Sequence, residues 1–275
     1  MSIGKLVKST LSATCLSALT LSSAHAATQI SIAAAADLEK VLTNLIIPKF
    51  EAATGGTVLV TFSASGTLED QIIAKSPQYD LFLSADKTRP ETLYTSYPSL
   101  VVGAPFFYAQ GTLELWSPSV NISSGLPVPL TTNIVIANPA TAPYGLAAGT
   151  VLQELGVLPS PLPTTWPYGD VYDSTNIYTT YEAIVAATYK YGFVSQSLIC
   201  QESNGVKTFP SGTYHHTYPY NQTPTYSVID QWGIEIANAN RTAAETTLLN
   251  EFVAYITGSG AGTAYLVDYC FGLSQ

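Results

Sequence analysis

Residues 61–73 carry the stretch best suited to chemistry, a cluster of hydroxyl groups between a strand pattern and a helix pattern. Ser63, Ser65 and Thr67 surround Gly66. The first amides of a helix lack intrahelical acceptors and carry the positive end of the helix dipole, so they attract an anion without a cationic side chain. Glycine allows close approach, and hydroxyls add neutral donors. The turn therefore predicts a small-oxyanion site, although these residues are also ordinary capping and turn residues.

The turn lies within a βαβαβ pattern near the start of the chain. Strand patterns occupy 29–35, 58–62 and 79–85, and a helix pattern at 38–50 contains Pro48, which we expect to bend it. Alternation of strands and helices predicts an α/β fold with mainly parallel sheets flanked by helices. In such folds ligands bind where strands end and helices begin.

The rest of the chain continues this alternation. The patterns predict strands at 112–116, 133–137, 191–194 and 231–236, and helices at 144–155, 176–189 and around 248–256. Residues 201–227 are rich in Pro, Tyr, His and Thr without periodicity, so we expect a long loop or irregular insertion there.

The N-terminus and the charge limit the class of protein. Residues 1–26 combine two lysines, an apolar run and a small-x-small end, which is typical of a cleaved secretory signal peptide. The formal charge is −9 for the chain and about −11 without those lysines, so nucleic acid and anionic membrane are poor partners. No later apolar run is long enough to anchor the chain in a bilayer.

Two cysteines, Cys200 and Cys270, follow the predicted signal peptide. An oxidising compartment permits them to form a disulfide, but their separation in space is not readable from the sequence, so paired and free thiols both stay open. The chain has no Cys/His spacing typical of zinc, and we expect no metal site of its own.

Seven short motifs follow one another along the chain. They are IAAAADL at 32–38, FSASGTL at 62–68, YDLFLSAD at 79–86, ANPATAPYG at 137–145, GFV at 192–194, IDQ at 229–231 and YCFG at 269–272. In this order and at this spacing they resemble the periplasmic molybdate-binding proteins of ABC importers, and they span nearly the whole mature chain apart from 201–227.

This resemblance implies a type II periplasmic-binding fold of two α/β lobes with a ligand cleft between them. The first lobe would take 27–108 and 229–275, and the second 109–228, with crossings near Tyr108 and Ile229. It also implies a non-enzymatic, monomeric periplasmic protein without a cofactor. Such a protein captures molybdate or tungstate and delivers it to a membrane permease, while sulfate is too small to reach every donor.

The resemblance also assigns ligand-binding residues. Ser65 would give its hydroxyl and its amide to the anion, and Tyr144 would give its amide from the turn of the PYG motif. Ile177 aligns with another amide donor at the start of a helix.

Two positions depart from the family pattern. Ala36 stands where many members have a serine, so only the amide of Ala36 or Asp37 remains there. Ser195 stands where some members have a ligand-binding tyrosine, and its side chain is shorter. These departures keep open a second hypothesis, in which the same fold binds a different oxyanion or a small organic acid.

Two hypotheses from other classes are weaker. A secreted hydrolase would need His215 or His216, which lie in the irregular segment, and the chain has no G-x-S-x-G motif. An adhesive surface protein would use the Tyr-rich stretch 214–226. Asp80 and Asp86 flank a predicted strand, where capping or ion pairing explains them better than catalysis.

Overall fold

The structure is a computed structural model that describes residues 1, 28–220 and 222–274. The predicted signal peptide, 1–26, therefore lies almost entirely outside the described residues. Within them, the strands are β1 (Gln29–Ala35), β2 (Thr57–Ser63), β3 (Leu81–Ser84), β4 (Val101–Gly111), β5 (Leu113–Ser117), β6 (Ile134–Ala137), β7 (Val171–Ser174), β8 (Tyr191–Ser195), β9 (Gln201–Ser203), β10 (Val206–Thr208), β11 (Tyr214–Tyr218) and β12 (Ile229–Ile236).

In the described part of the chain, five longer helical segments lie between these strands and two follow β12. The first, α1, is a continuous run over 36–54 that opens with a 3-10 turn, Ala36–Leu38. The others are α2 (Ser65–Ala74), α3 (Thr88–Ser96), α4 (Pro143–Glu154), α5 (Ile177–Val185), α6 (Ala243–Ile256) and α7 (Ala261–Asp268). The expected effect of Pro48 is visible as a wide π-helical turn, Leu42–Ile46, just before it, which fits a residue that cannot donate to the preceding turn.

Two five-stranded sheets form two lobes, as predicted. The first sheet has the order β2-β1-β3-β12-β4 and the second β11-β5-β8-β6-β7, and we call the halves around them the first and second lobes. In each sheet four strands run in one direction, and the reversed strand is β12 or β5. The prediction of mainly parallel α/β sheets is therefore confirmed, with one antiparallel strand in each.

The chain passes between the lobes at the ends of β4 and β11. Because β4 continues to Gly111 and β5 begins at Leu113, Thr112 is the residue between the first and the second sheet. The return leads into β12, which begins at Ile229. The side chain of Gln110 donates to Asp230 at 2.8 Å, so the two crossing segments are tied together. The lobe boundaries drawn from the sequence stay a prediction.

The prediction of an irregular segment at 201–227 is wrong for much of its length. β9 and β10 form a small antiparallel hairpin, and β11 pairs with β5 at the edge of the second sheet. Tyr218 is buried and its hydroxyl accepts from the amide of Leu126 at 3.0 Å. The sequence signal was weak because β11, YHHTY, has polar and aromatic residues without clean alternation, and its place is set by pairing with β5.

Each lobe has its own core. Ile30, Leu81 and Phe252 belong to one cluster of the first lobe, and Leu68 and Phe82 to a second one on the other face of its sheet. The core of the second lobe also includes small residues of the first, among them Ala36, Ala64 and Ala85. The lobes therefore meet through small side chains, which allow close approach of their backbones.

Cys200 and Cys270 form a disulfide with a Cα–Cα distance of 5.9 Å. Cys200 follows the 3-10 turn Gln196–Leu198 of the second lobe, and Cys270 follows α7 of the first. The bond therefore ties the C-terminal end of the chain to the second lobe.

Candidate functional site

A small cavity lies where the two lobes meet. The first lobe contributes Ala36, Asp37, Ser65 and Ala85 to its wall, and the second contributes Tyr144 and Ile177. None of the residues that line it is Lys, Arg or His. The cavity is small, because only about 10 Å³ of it is open to the centre of a water molecule. It therefore has room for about one ordered water. A larger occupant therefore requires the lobes to separate slightly around it.

The fold brings four helix starts to this cavity. In the first lobe β1 leads into α1 and β2 leads into α2, and in the second lobe β6 is followed by α4 and β7 by α5. Because these strands are parallel within each sheet, their carboxyl ends lie along one edge, and the helices begin there. The unpartnered first amides of these segments create positive potential in the cavity.

Ser65 is the first residue of α2 and is 1% exposed. Its Oγ accepts from the backbone amide of Ala85 at 3.0 Å, which fixes the hydroxyl at the cavity wall. This contact uses a lone pair, so the hydroxyl hydrogen is available to an anion. The serine can therefore donate both from its hydroxyl and from its amide.

Gly66 holds the two lobes close together beside this serine. Its amide donates to the carbonyl oxygen of Thr141 in the second lobe at 2.9 Å. A Cβ at this position would lie 3.1 Å from the Cα of Thr141 and 3.0 Å from Nη2 of Arg89. The close approach therefore requires a residue without a side chain, which explains the glycine in the turn.

Tyr144 provides the first amide of α4, because the helix begins with Pro143, which has no N–H. The ring is 1% exposed, and its hydroxyl accepts from Nε2 of Gln231 at 3.2 Å. Burial, together with the charge of Asp37, raises the pKa of Tyr144 well above its usual value, so the phenol stays neutral.

Ile177 is the first residue of α5, and the local capping leaves its amide free. The side chain of Asn176 accepts from the amides of Tyr178 and Thr179, at 2.9 Å each. The capping box thus satisfies the second and third amides of the helix, whereas the first lies at the cavity wall. This arrangement agrees with the donor role expected for Ile177.

Ser195 lies behind the cavity wall and does not line it. The residue is fully buried, and its Oγ lies 2.7 Å from Oγ of Ser197, which donates to the backbone oxygen of Asp37 at 2.9 Å. Ser195 also hydrogen bonds to Tyr144. The structure therefore brings Ala36, Ser65, Tyr144 and Ile177 together around the cavity and places Ser195 in a supporting position.

Asp37 is the residue whose side chain the sequence did not predict at the site. It is fully buried, lines the cavity, and accepts from Nε2 of Gln231 through Oδ2. Burial raises the pKa of its carboxyl to about 6, against smaller opposite effects from Gln231 and Tyr144. The available signal was an acidic residue directly after four alanines at the end of β1, where the sequence predicted only a backbone amide donor.

A hydrogen-bonded chain fixes Gln231 opposite Asp37. Oε1 of Gln231 accepts from the hydroxyl of Tyr108 at 2.9 Å, and that hydroxyl lies 3.0 Å from the backbone oxygen of Ser84. Gln231 belongs to β12 and Tyr108 to β4, the two strands beside the crossings. The amide of Gln231 therefore links the cavity to the segments through which the lobes connect.

The other candidate residues have structural explanations. His215 lies on β11 and stacks on Phe209, with ring centroids 3.5 Å apart, away from the residues that line the cavity. Asp80 pairs with Arg241 at 3.0 Å, and Asp86 pairs with Arg89. Across residues 28–220 and 222–274 there is no cluster of three His, Cys, Asp or Glu side chains suited to a metal ion. The same residues include no helix able to cross a membrane.

Comparisons with known proteins agree with this geometry. The family model of bacterial extracellular solute-binding proteins matches residues 30–269. The molybdate-binding protein ModA of Azotobacter vinelandii is 31% identical over 186 residues, 66% of this chain and 70% of that protein. ModA of Rhodobacter capsulatus is 33% identical over 159 residues, 57% of this chain and 60% of that protein.

A solved structure extends the similarity to the whole fold. The periplasmic molybdate-binding protein of Azotobacter vinelandii superimposes with a TM-score of 0.73 at 25% identity, over 90% of this chain and 100% of that one. The family match covers both sheets and all four helix starts at the cavity. The chain therefore belongs to the family of bacterial extracellular solute-binding proteins.

Proposed function

We propose that this protein captures molybdate, or the similar tungstate, between its two lobes and delivers it to the membrane permease of an ABC importer. The observation that carries the proposal is the cavity, where the starts of α1, α2, α4 and α5 surround one space lined by neutral donors and one buried carboxyl. Two relatives named for molybdate binding are similar to this chain in sequence, and the solved molybdate-binding protein has a similar fold.

The donor set suits a dehydrated tetrahedral anion. Ser65 offers a hydroxyl and an amide, while Ala36, Tyr144 and Ile177 offer amides at helix starts. Hydrogen bonds to a charged acceptor contribute about 1.5 to 3 kcal/mol each, so a few of them give tight binding without a cation. Their fixed spacing favours an anion large enough to reach donors of both lobes at once.

Closure of the lobes would couple capture to delivery. The contacts between Gly66 and Thr141 and between Gln231 and Tyr144 join the two lobes and form only when the lobes are together. An anion that bridges both walls stabilises this state, in the manner of a hinge closing on its ligand. The closed surface is then what a permease recognises, and we propose a monomeric, non-enzymatic protein that works in the periplasm.

Calorimetric titration of the ligand-free protein with molybdate, tungstate, sulfate and phosphate tests this function. We expect tight binding of molybdate and tungstate, much weaker binding of sulfate, and a loss of about tenfold to a hundredfold for Ser65→Ala. Thr67→Ala, which changes a hydroxyl of the same turn outside the cavity wall, is the matched control and should bind normally. Failure of both molybdate and tungstate to bind would contradict the proposal and favour another oxyanion or a small organic acid.

A further inference from the structure

Asp37 places a carboxyl group in the wall of a cavity otherwise built to receive an anion. Its side chain is fully buried, and its Oδ2 accepts from Nε2 of Gln231. Its Oδ1 is buried as well and has no hydrogen-bond partner among the described residues. An unpaired oxygen of a buried carboxyl is costly, so its position beside the cavity indicates a contact with the occupant.

A charged carboxylate would oppose the proposed ligand. Molybdate is a dianion at neutral pH, and like charges repel strongly in a buried site from which water is excluded. The carboxylate also has no hydrogen to donate, whereas the oxygens of the anion can only accept. A neutral carboxylic acid removes both obstacles, since it carries no charge and gains one donor.

We propose that Asp37 binds the oxyanion as a protonated acid that donates its Oδ1–H to an oxygen of the anion, so that molybdate and about one proton are taken up together. This inference rests on the proposed function. The proton comes from solvent and adds to Oδ1, and no bond of the anion is broken. Asp37 is thus a binding residue that makes capture dependent on pH.

The neighbours of Asp37 decide which oxygen carries the proton. Gln231 donates to Oδ2, and its own Oε1 is engaged with Tyr108, so Oδ2 is held as an acceptor. The proton therefore goes to Oδ1 at the cavity. Burial already raises the pKa of Asp37 to about 6, and a dianion beside it acts in the same direction.

Other titratable groups around Asp37 do not replace it in this role. Burial holds the phenols of Tyr108 and Tyr144 neutral, and β2 and the turn Gln196–Leu198 contribute no titratable side chain. Glu39 has a raised pKa from burial and from the charge of Glu182, but it does not line the cavity. None of the remaining ionisable groups on these elements lines the cavity. They are Lys40, Lys49 and Glu51 on α1, Glu69 and Asp70 on α2, Asp86, Lys87, Arg89, Glu91 and Tyr94 at α3, Glu154 on α4, Tyr178, Tyr181 and Glu182 on α5, and Asp230 and Glu235 on β12.

Calorimetric titration with molybdate in buffers of different ionisation enthalpy, from about pH 5 to about pH 8, measures directly how many protons the complex takes up per anion bound. For the wild type we expect almost no proton uptake at the acid end and about one proton per molybdate at the alkaline end. The affinity should fall by nearly tenfold per pH unit above about pH 6. Micromolar concentrations keep the anion monomeric across this range.

Two variants identify the group. Asp37→Asn keeps a donor without a charge, so its affinity should be nearly independent of pH, exceed that of the wild type at the alkaline end, and involve no proton uptake. Glu39→Gln is the matched control and should keep the wild-type profile. Thermal melting checks that each variant folds. If Asp37→Asn fails to fold, the number of protons taken up by the wild type still tests the proposal.

The outcomes separate this inference from the proposed function. Tight binding of molybdate without proton uptake at the alkaline end, or uptake that persists in a folded Asp37→Asn, would overturn the role of Asp37 alone. Preference for phosphate over molybdate would also overturn it, because the carboxylate would then accept a hydrogen from a protonated anion. Absence of molybdate binding in wild type and variant at every pH would remove the proposed function and this inference together.

Discussion

The two walls of the cavity are built on different principles. The wall from the first lobe offers side-chain groups, the hydroxyl of Ser65 and the carboxyl of Asp37, in addition to amides. The wall from the second lobe offers the backbone amides of Tyr144 and Ile177, while the phenol of Tyr144 is engaged with Gln231. The first wall therefore depends on residue identity, and the second depends on where two helices begin.

This difference determines what a substitution can reveal. On the first wall, a change of side chain removes or adds a donor directly. On the second wall most substitutions leave the backbone amides in place. Only a substitution that removes an amide N–H, such as one by proline, changes a hydrogen-bond donor to the ligand.

Ser65→Ala should have the largest effect, because it removes a donor to the anion and also leaves the buried amide of Ala85 without its acceptor. We expect an affinity loss of about tenfold to a hundredfold and a fall in the free energy of unfolding of about 1 to 3 kcal/mol. Calorimetry and denaturant unfolding measure the two effects separately. Wild-type values for both would show that the first wall does not depend on this side chain.

Asp37→Asn should stabilise the ligand-free protein at neutral pH. The folded pKa of about 6 lies above the usual 3.8, so the folded state binds the proton more tightly and loses stability as the pH rises through this interval. Removal of the charge should therefore raise the free energy of unfolding near neutral pH by about 2 to 3 kcal/mol, but not below about pH 4. Denaturant unfolding at both pH values tests the sign, and an equal effect at both would contradict it.

Ile177→Pro should weaken binding by about tenfold or more, since proline is tolerated at the first position of a helix but has no N–H. Ile177→Ala is the matched control, because it loses similar packing and keeps the amide. We expect the two variants to have similar melting temperatures and clearly different affinities. Equal affinities would mean that this amide does not contact the anion.

Tyr144→Phe should have the smallest effect on binding. The hydroxyl hydrogen bonds to Gln231, Ser195 and Asp37 and not to the anion, so its loss should cost about 1 kcal/mol of stability and change the affinity by no more than about threefold. Calorimetry with the same anion panel provides the comparison. A large loss of affinity would show that the second wall uses a side chain after all.

The sequence predicted the parts of the site that local patterns encode. The turn at Ser65 and Gly66 was recognisable because strand, small polar residues and helix follow one another directly, and the motifs then placed Tyr144 and Ile177. Asp37 was missed as a side-chain participant because its burial arises from the meeting of two lobes. The contact with Gln231, far along the chain, has no local signal.

The same distinction holds for the fold. The βαβ units were predicted from periodicity, whereas β11 and the exact crossing at Thr112 depend on pairing between distant segments. Likewise, the disulfide between Cys200 and Cys270 depends on the position of the C-terminus against the second lobe. Local patterns thus predict elements, and long-range contacts decide which side chains meet.

The position of molybdenum in a crystal of the complex tests the central claim most directly. Anomalous diffraction measured on both sides of the molybdenum absorption edge locates the metal without reference to the protein. The account predicts one strong peak between the two walls, within hydrogen-bonded reach of Ser65 and of the amide of Ile177 through the oxygens of the anion. A peak elsewhere on the protein, or none in a protein that binds the ion in solution, would contradict it.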